Sequence, residues 1–330
     1  MLKDALASVA NQTSLHSIAQ VIVSENGEDR ASENVCSEFL TLPIEYYYQQ
    51  PALPFLEHIQ LLLSNVSSAH VAFLHDDDWW ATNHLEMALS ALSNSNCTSV
   101  FTNFVETPSP RHPFTVSYKS FRTWALTGKD FSPSIIHLGQ AENFLNCLID
   151  TTYHMSTFVG ATNNCITSWG KVVESKISYD CDRTFPIFLG ETGNVAYIPA
   201  STAFIRIHSG QDSARADYQV NDIGWEIKAT TTEWIAKAYP ELLVATKELF
   251  NSAVLSKLSS EEIDEMLRPI GESQKEALAM ICGLDLPISR PKPQPSPNRT
   301  AIQKFTQPML ERVARKIYSM LVKHWRCPHP

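Results

Sequence analysis

The sequence predicts an α/β layered domain with a mostly parallel sheet, followed by a helical extension. Short runs rich in Val, Ile, Tyr and Phe alternate with stretches of helical periodicity over roughly the first 105 residues. Several of these runs end in polar turns such as Asn26-Gly27, where a strand meets a loop. Beyond residue 215 the pattern is helical until a Pro-rich stretch interrupts it.

Residues 2–13 repeat Leu2, Ala5, Leu6, Val9 and Ala10 at helical spacing, and Asn11 ends the pattern. Ile18, Val21, Ile22 and Val23 form a β-branched run that reads as a buried strand closing at Asn26-Gly27. A short helix over 28–39 and a second strand over 44–49 follow. Leu56, Ile59, Leu62 and Leu63 line one side of a strongly amphipathic helix. Next, an apolar strand runs from His70 straight into Asp76, Asp77 and Asp78 and two tryptophans. Residues 81–94 read as a helix and 99–106 as a strand. Between about 107 and 170 four prolines break the periodicity, so long loops and a few helices are expected. Residues 194–199 and 202–208 read as two short strands.

The domain reading is therefore 1–215 for the α/β domain, 216–288 for the helical extension, 289–300 for a Pro-rich linker and 301–330 for a basic amphipathic helix. With 44% hydrophobic and 18% charged residues, the 330-residue chain is neither disordered nor collagen-like. A net charge of −9 gives no whole-chain attraction to nucleic acid, and no nucleic-acid partner is expected. The charge is uneven: six Lys and Arg against Glu311 give residues 301–330 a local +5, leaving −14 on the rest. With Met309, Leu310, Val313, Ile317, Met320 and Leu321 on its other face, that segment suits peripheral contact with an anionic membrane, or docking on the preceding helices. Seven cysteines without a CxxC pair, and no signal-like start, suggest a reducing, cytoplasmic setting.

Asp76, Asp77 and Asp78 repel one another unless a cation shares their charge, and a divalent hard cation is the natural partner. On an extended segment Asp76 and Asp78 face one way and Asp77 the other. The plainer alternative is a solvated turn capping the next helix, which accounts for one of the three, or two at most. Since ligands bind at strand carboxyl ends in such sheets, the turns at Glu25 and at Asp76–Asp78 can share one cleft.

These residues resemble the family 2 glycosyltransferases. The family pattern opens with a helix, here Ala5-Leu6-Ala7-Ser8-Val9-Ala10-Asn11-Gln12-Thr13, then a strand into an acidic turn, here Val21-Ile22-Val23-Ser24-Glu25-Asn26-Gly27. Its signature is an apolar strand into a DxD-type motif, here Phe73-Leu74-His75-Asp76-Asp77-Asp78-Trp79-Trp80, with His75 where many members have Asp. A weaker match runs through Cys181-Asp182, Gly193, Val195–Pro199 and Arg206-Ile207-His208. The resemblance implies a GT-A fold, a nucleotide-sugar donor, a glycan or lipid-linked acceptor, and inversion assisted by a divalent metal, Mn or Mg. It implies Asp182 as catalytic base, with Asp180 a competitor, and Asp76, Asp78 and His208 at the metal. Glu25, Asp76 and Asp77 are implied to face the donor. Members usually carry a strand before the first helix, so a sheet one strand short is expected here.

Two other readings compete. A chain that binds nucleotide sugars without turnover would hold a donor and release no nucleotide. An HD-type phosphohydrolase built on His75-Asp76 requires an all-helical setting, whereas His75 closes a strand.

Overall fold

The computed structural model describes residues 1–27, 30–107, 115–116, 136–138, 141, 153–175 and 181–208, with 237, 239–242, 244–245 and 248. By compactness the chain divides into one unit of Met1–Ser117 with Phe131–Gln211 and another of Tyr118–Asp130 with Asp212–Pro330. Every element below belongs to the first. The Pro-rich linker and the basic segment 301–330 lie outside the described residues, as does most of the helical extension.

The order is α1 (Leu2–Ala10), β1 (Val21–Glu25), α2 (Ala31–Ser37), β2 (Ile44–Tyr48), α3 (Phe55–Ser64), β3 (His70–Ala72), β4 (Trp79–Trp80), α4 (His84–Asn94), β5 (Ser99–Thr107), β6 (Thr115–Val116), β7 (Ile136–Leu138), β8 (Phe158–Ala161), α5 (Thr162–Ser175), α6 (Cys181–Thr192) and β9 (Val195–Arg206). Among the described residues the strands form two sheets. β1 and β2 pair in parallel, while the larger sheet runs β3-β8-β5-β9-β4, with β6 on β5 and β7 on β9.

The mostly parallel sheet expected from the alternation holds for β1 with β2 and for β5 with β9. It fails elsewhere, because β8 inserts antiparallel between β3 and β5, and β4 runs antiparallel to β9. β8 is only four residues long, too short for alternation alone to register it. The two strands expected between 194 and 208 are one. Its register against β5 jumps from Ile198 to Ser201, because Pro199 has no N–H to offer the ladder and the strand bulges around it.

Side-chain alternation places a layer on each face of the larger sheet. Val100, Phe104, Val159, Ala196 and Ile198 pack with Leu6 and Val9 of α1 and Leu85, Ala88 and Ala91 of α4. On the other face Phe101, Phe158 and Tyr153 stack with Phe185 of α6 and Trp169 of α5. Trp169 is fully buried and its indole N–H donates to the Leu56 carbonyl, which ties α3 to this layer. Burying each such ring contributes about 1.5–3 kcal/mol. β5 lies between the layers and is buried along almost its whole length. Cys36, Cys97, Cys165 and Cys181 are buried in the structure, and burial pushes the Cys36 and Cys165 pKa values up.

Candidate active site

The three aspartates form a turn after β3, because the Asp78 N–H folds back 3.2 Å to the His75 carbonyl. The extended, alternating arrangement expected from sequence is therefore replaced by a bend, with His75 and Asp78 at its two ends. Asp76 sits exposed at the tip, Asp77 is half-buried and Asp78 is only 1% exposed.

The helix preceding β1 braces this turn. Ser8 Oγ accepts from the Trp80 N–H at 3.1 Å. Gln12 Nε2 donates to the Ala81 carbonyl at 2.7 Å, and its Oε1 accepts the Leu85 N–H at 3.0 Å. Thr13 donates from N–H to the Thr82 carbonyl and from Oγ1 to Glu86. The Ser-Val-x-Asn-Gln-Thr segment, the end of α1 and the residues after it, is thus a clamp on residues 80–86, immediately after the acidic turn.

From the other side comes the end of β9. The Arg206 main-chain N–H donates to Asp78 Oδ1 at 2.9 Å and Arg206 Nε to the Asp77 carbonyl at 2.7 Å. Its guanidinium also pairs with Asp4 and lies 4.8 Å from the Trp79 ring centre. His208 follows on the same run, and its Nε2 meets Asp77 Oδ2 at 3.0 Å.

Asp78 Oδ2 accepts from Ser156 Oγ at 2.6 Å. Two imidazoles flank the same oxygen, with His154 Nδ1 at 3.7 Å and His75 Nδ1 at 3.9 Å. Burial pushes the Asp78 carboxyl up to about 6, while Ser156, His75 and the Arg206 N–H pull it down and Asp77 pushes it further up. Sequence reasoning missed His154 and Ser156. No local motif marks them; the β3–β8 pairing, continued by the Phe73 N–H to the Phe158 carbonyl, brings their turn beside 75–78.

The remaining site residues lie on other elements. Glu25 ends β1, and its Oε2 accepts from Tyr46 Oη at 2.6 Å and from the Ser32 N–H at 3.0 Å, ordering the first turn of α2. Asp182 stands half-buried in the first turn of α6. That turn is anchored by Phe185, whose ring packs edge-on against Phe73, three residues before Asp76. Asp180 lies outside the described residues. Of the three residues implied at the metal, His208 meets Asp77, while Asp78 is turned into the cluster with His75, His154 and Ser156. Among the described residues no helix is long and apolar enough to cross a membrane.

Residues 1–149 match the family described as Glycosyl transferase family 2. No curated protein matches the chain. Among solved structures, residues 1–349 of TarS from S. aureus in complex with UDP-GlcNAc superpose with a TM-score of 0.53 at 12% identity, covering 85% of this chain and 76% of that one. The same fragment with UDP gives 0.51 at 10% identity, covering 98% and 87%. At that identity the likeness is one of fold, and the fold is the α/β GT-A type. The match over residues 1–149 spans α1, β1 and the acidic turn, so that part of the chain is similar to the family 2 glycosyltransferases.

Proposed function

We propose that the chain transfers a sugar from a nucleoside-diphosphate donor to a hydroxyl of a glycan or lipid-linked acceptor, with inversion at the anomeric carbon. The observation that carries this reading is the meeting of Asp77 and His208, 3.0 Å apart, beside the exposed Asp76. The two groups are hydrogen-bonded to one another, and the same atoms suit adjacent corners of a divalent-cation site once an ion takes the place of the shared proton, since bonds of about 2.1 Å put neighbouring ligands about 3 Å apart. Manganese or magnesium held there would supply positive charge to the departing nucleoside diphosphate. The TarS complexes with UDP-GlcNAc and UDP support a nucleotide sugar as the donor class.

The protein's own groups have separable roles. Asp182 takes the proton from the acceptor hydroxyl as its oxygen attacks the anomeric carbon opposite the leaving group. Arg206 holds the acidic turn at its carbonyl and carboxylate. Glu25 is assigned to the nucleoside side of the donor, at the end of β1.

The test is nucleotide release by the full chain from UDP, GDP and dTDP sugars, with manganese and a panel of acceptor glycans. One donor class is expected to turn over. Asp182→Asn is expected to lower kcat by about 100- to 10,000-fold, and Asp77→Asn or His208→Gln to weaken the manganese dependence. Release from no donor at all would overturn transfer; an unimpaired Asp182→Asn would overturn the base assignment.

A further inference from the structure

We propose that His75, Asp78 and His154 form a second metal site, selective for a borderline transition ion such as zinc or cobalt and separate from the Asp77–His208 pair. The three ligand atoms come from the acidic turn and from the turn before β8, and all lie within 4.8 Å of one another.

The spacing argues for an ion. The imidazole nitrogens stand 3.7 and 3.9 Å from Asp78 Oδ2, too far to be hydrogen bonds to it. Three ligands bonded at about 2.0–2.1 Å in a tetrahedral site have edges of about 3.4 Å, so a few tenths of an ångström at the two Asp78 contacts, and up to about 1.4 Å between the two imidazoles, closes the set on one ion. Two imidazoles with one carboxylate are a donor set that suits zinc, cobalt or iron better than magnesium, which prefers oxygen ligands.

The surroundings are those of a built site. Asp78 is 1% exposed, and an ionised carboxylate so enclosed is costly unless charge or hydrogen bonds compensate it. Ser156 Oγ–H and the Arg206 N–H already orient its two oxygens, the outer hydrogen bonds that ligating carboxylates characteristically receive. Ser156 is itself held, since its Oγ accepts the His75 N–H at 3.1 Å and its carbonyl accepts the Trp80 indole N–H at 2.6 Å. The Ser156 N–H reaches His154 Nδ1 at 3.3 Å, a long bond that coordination would replace. His75 keeps 40% of its side chain exposed, which leaves an entry path and an open coordination position.

Such an ion would lock the turn that carries Asp77 without being a ligand of the donor. The inference stands apart from the assignment of Asp77 and His208, so each can fail alone. The test is a cobalt titration of the chelator-stripped full chain, read by visible absorption and by displacement with zinc. The expected result is cobalt bound through nitrogen ligands, with one site per chain remaining in His208→Gln, where the Asp77–His208 pair is broken, and that site weakened at least about tenfold in both His75→Gln and His154→Gln. His75 is partly exposed, so its variant keeps the test open should His154→Gln fold poorly. Absence of cobalt binding by the parent, parental affinity in His75→Gln, or loss of binding in His208→Gln would each overturn the site.

Discussion

Arg206 joins the two ends of the candidate site with a single side chain. Its Nε fixes the Asp77 carbonyl, its Nη2 reaches Asp4 and its plane lies over Trp79. Lysine keeps the charge but lacks the fixed fork and the flat face, so it cannot make these contacts together. Arg206→Lys is therefore expected to keep the fold while lowering kcat/KM for the donor by roughly 10- to 100-fold, since small displacements of positioned groups are costly. Asp4→Asn removes only a half-exposed ion partner, and such pairs contribute at most about 1 kcal/mol. Its loss of kcat/KM should stay within about fivefold, and equal effects from the two variants would show that the ion pair, and not the fork, matters. At this scale the sequence was informative where chemistry was contiguous. Three adjacent carboxylates declared themselves, and His208 followed Arg206 at family spacing. His154 and Ser156 lie some 80 residues from their partners, and no local pattern connects residues joined only by strand pairing.

The element that most shapes the acidic turn is α1, which contributes no proposed ligand. The segment just past its C-terminus acts as a cap for α4: Asn83 makes no side-chain cap bond at that helix's N-terminus, and Gln12 accepts the Leu85 N–H instead. Gln12 is buried, so Gln12→Leu leaves the Leu85 N–H and the Ala81 carbonyl without these partners. A loss of about 1–3 kcal/mol per abandoned buried group is expected, read from urea unfolding. A variant as stable as the parent would show that the cap is supplied otherwise. This also explains which elements could be read in advance. α1, α3 and α4 have one apolar face and keep their periodicity. β9 read as two strands because Pro199 interrupts its pattern, and β8 was concealed because its apolar run is only four residues long. Short buried strands give sequence reasoning too little to count.

For the molecule as a whole, the mixed sheet between two layers makes β5 and its neighbours the part least able to tolerate buried charge, and His84 lies in that region. Its side chain is fully buried, Nδ1 meets Thr202 Oγ1 at 2.8 Å, and the ring stacks on Trp80 with centroids 4.5 Å apart. Burial lowers its pKa to about 3 from an ordinary value near 6.5. Because the folded value is the lower one, the unfolded chain takes up this proton first as pH falls. The stability associated with neutral His84 is thus fully present above pH 6.5 and is lost progressively down to about pH 3. The slope for one proton is at most about 1.4 kcal/mol per pH unit. Urea midpoints at pH 7, 6, 5 and 4 should fall for the parent. His84→Asn, which keeps a polar atom near Thr202 but does not titrate, should begin less stable at pH 7 and fall less steeply. Parallel decline of the two proteins would assign the acid sensitivity to other groups.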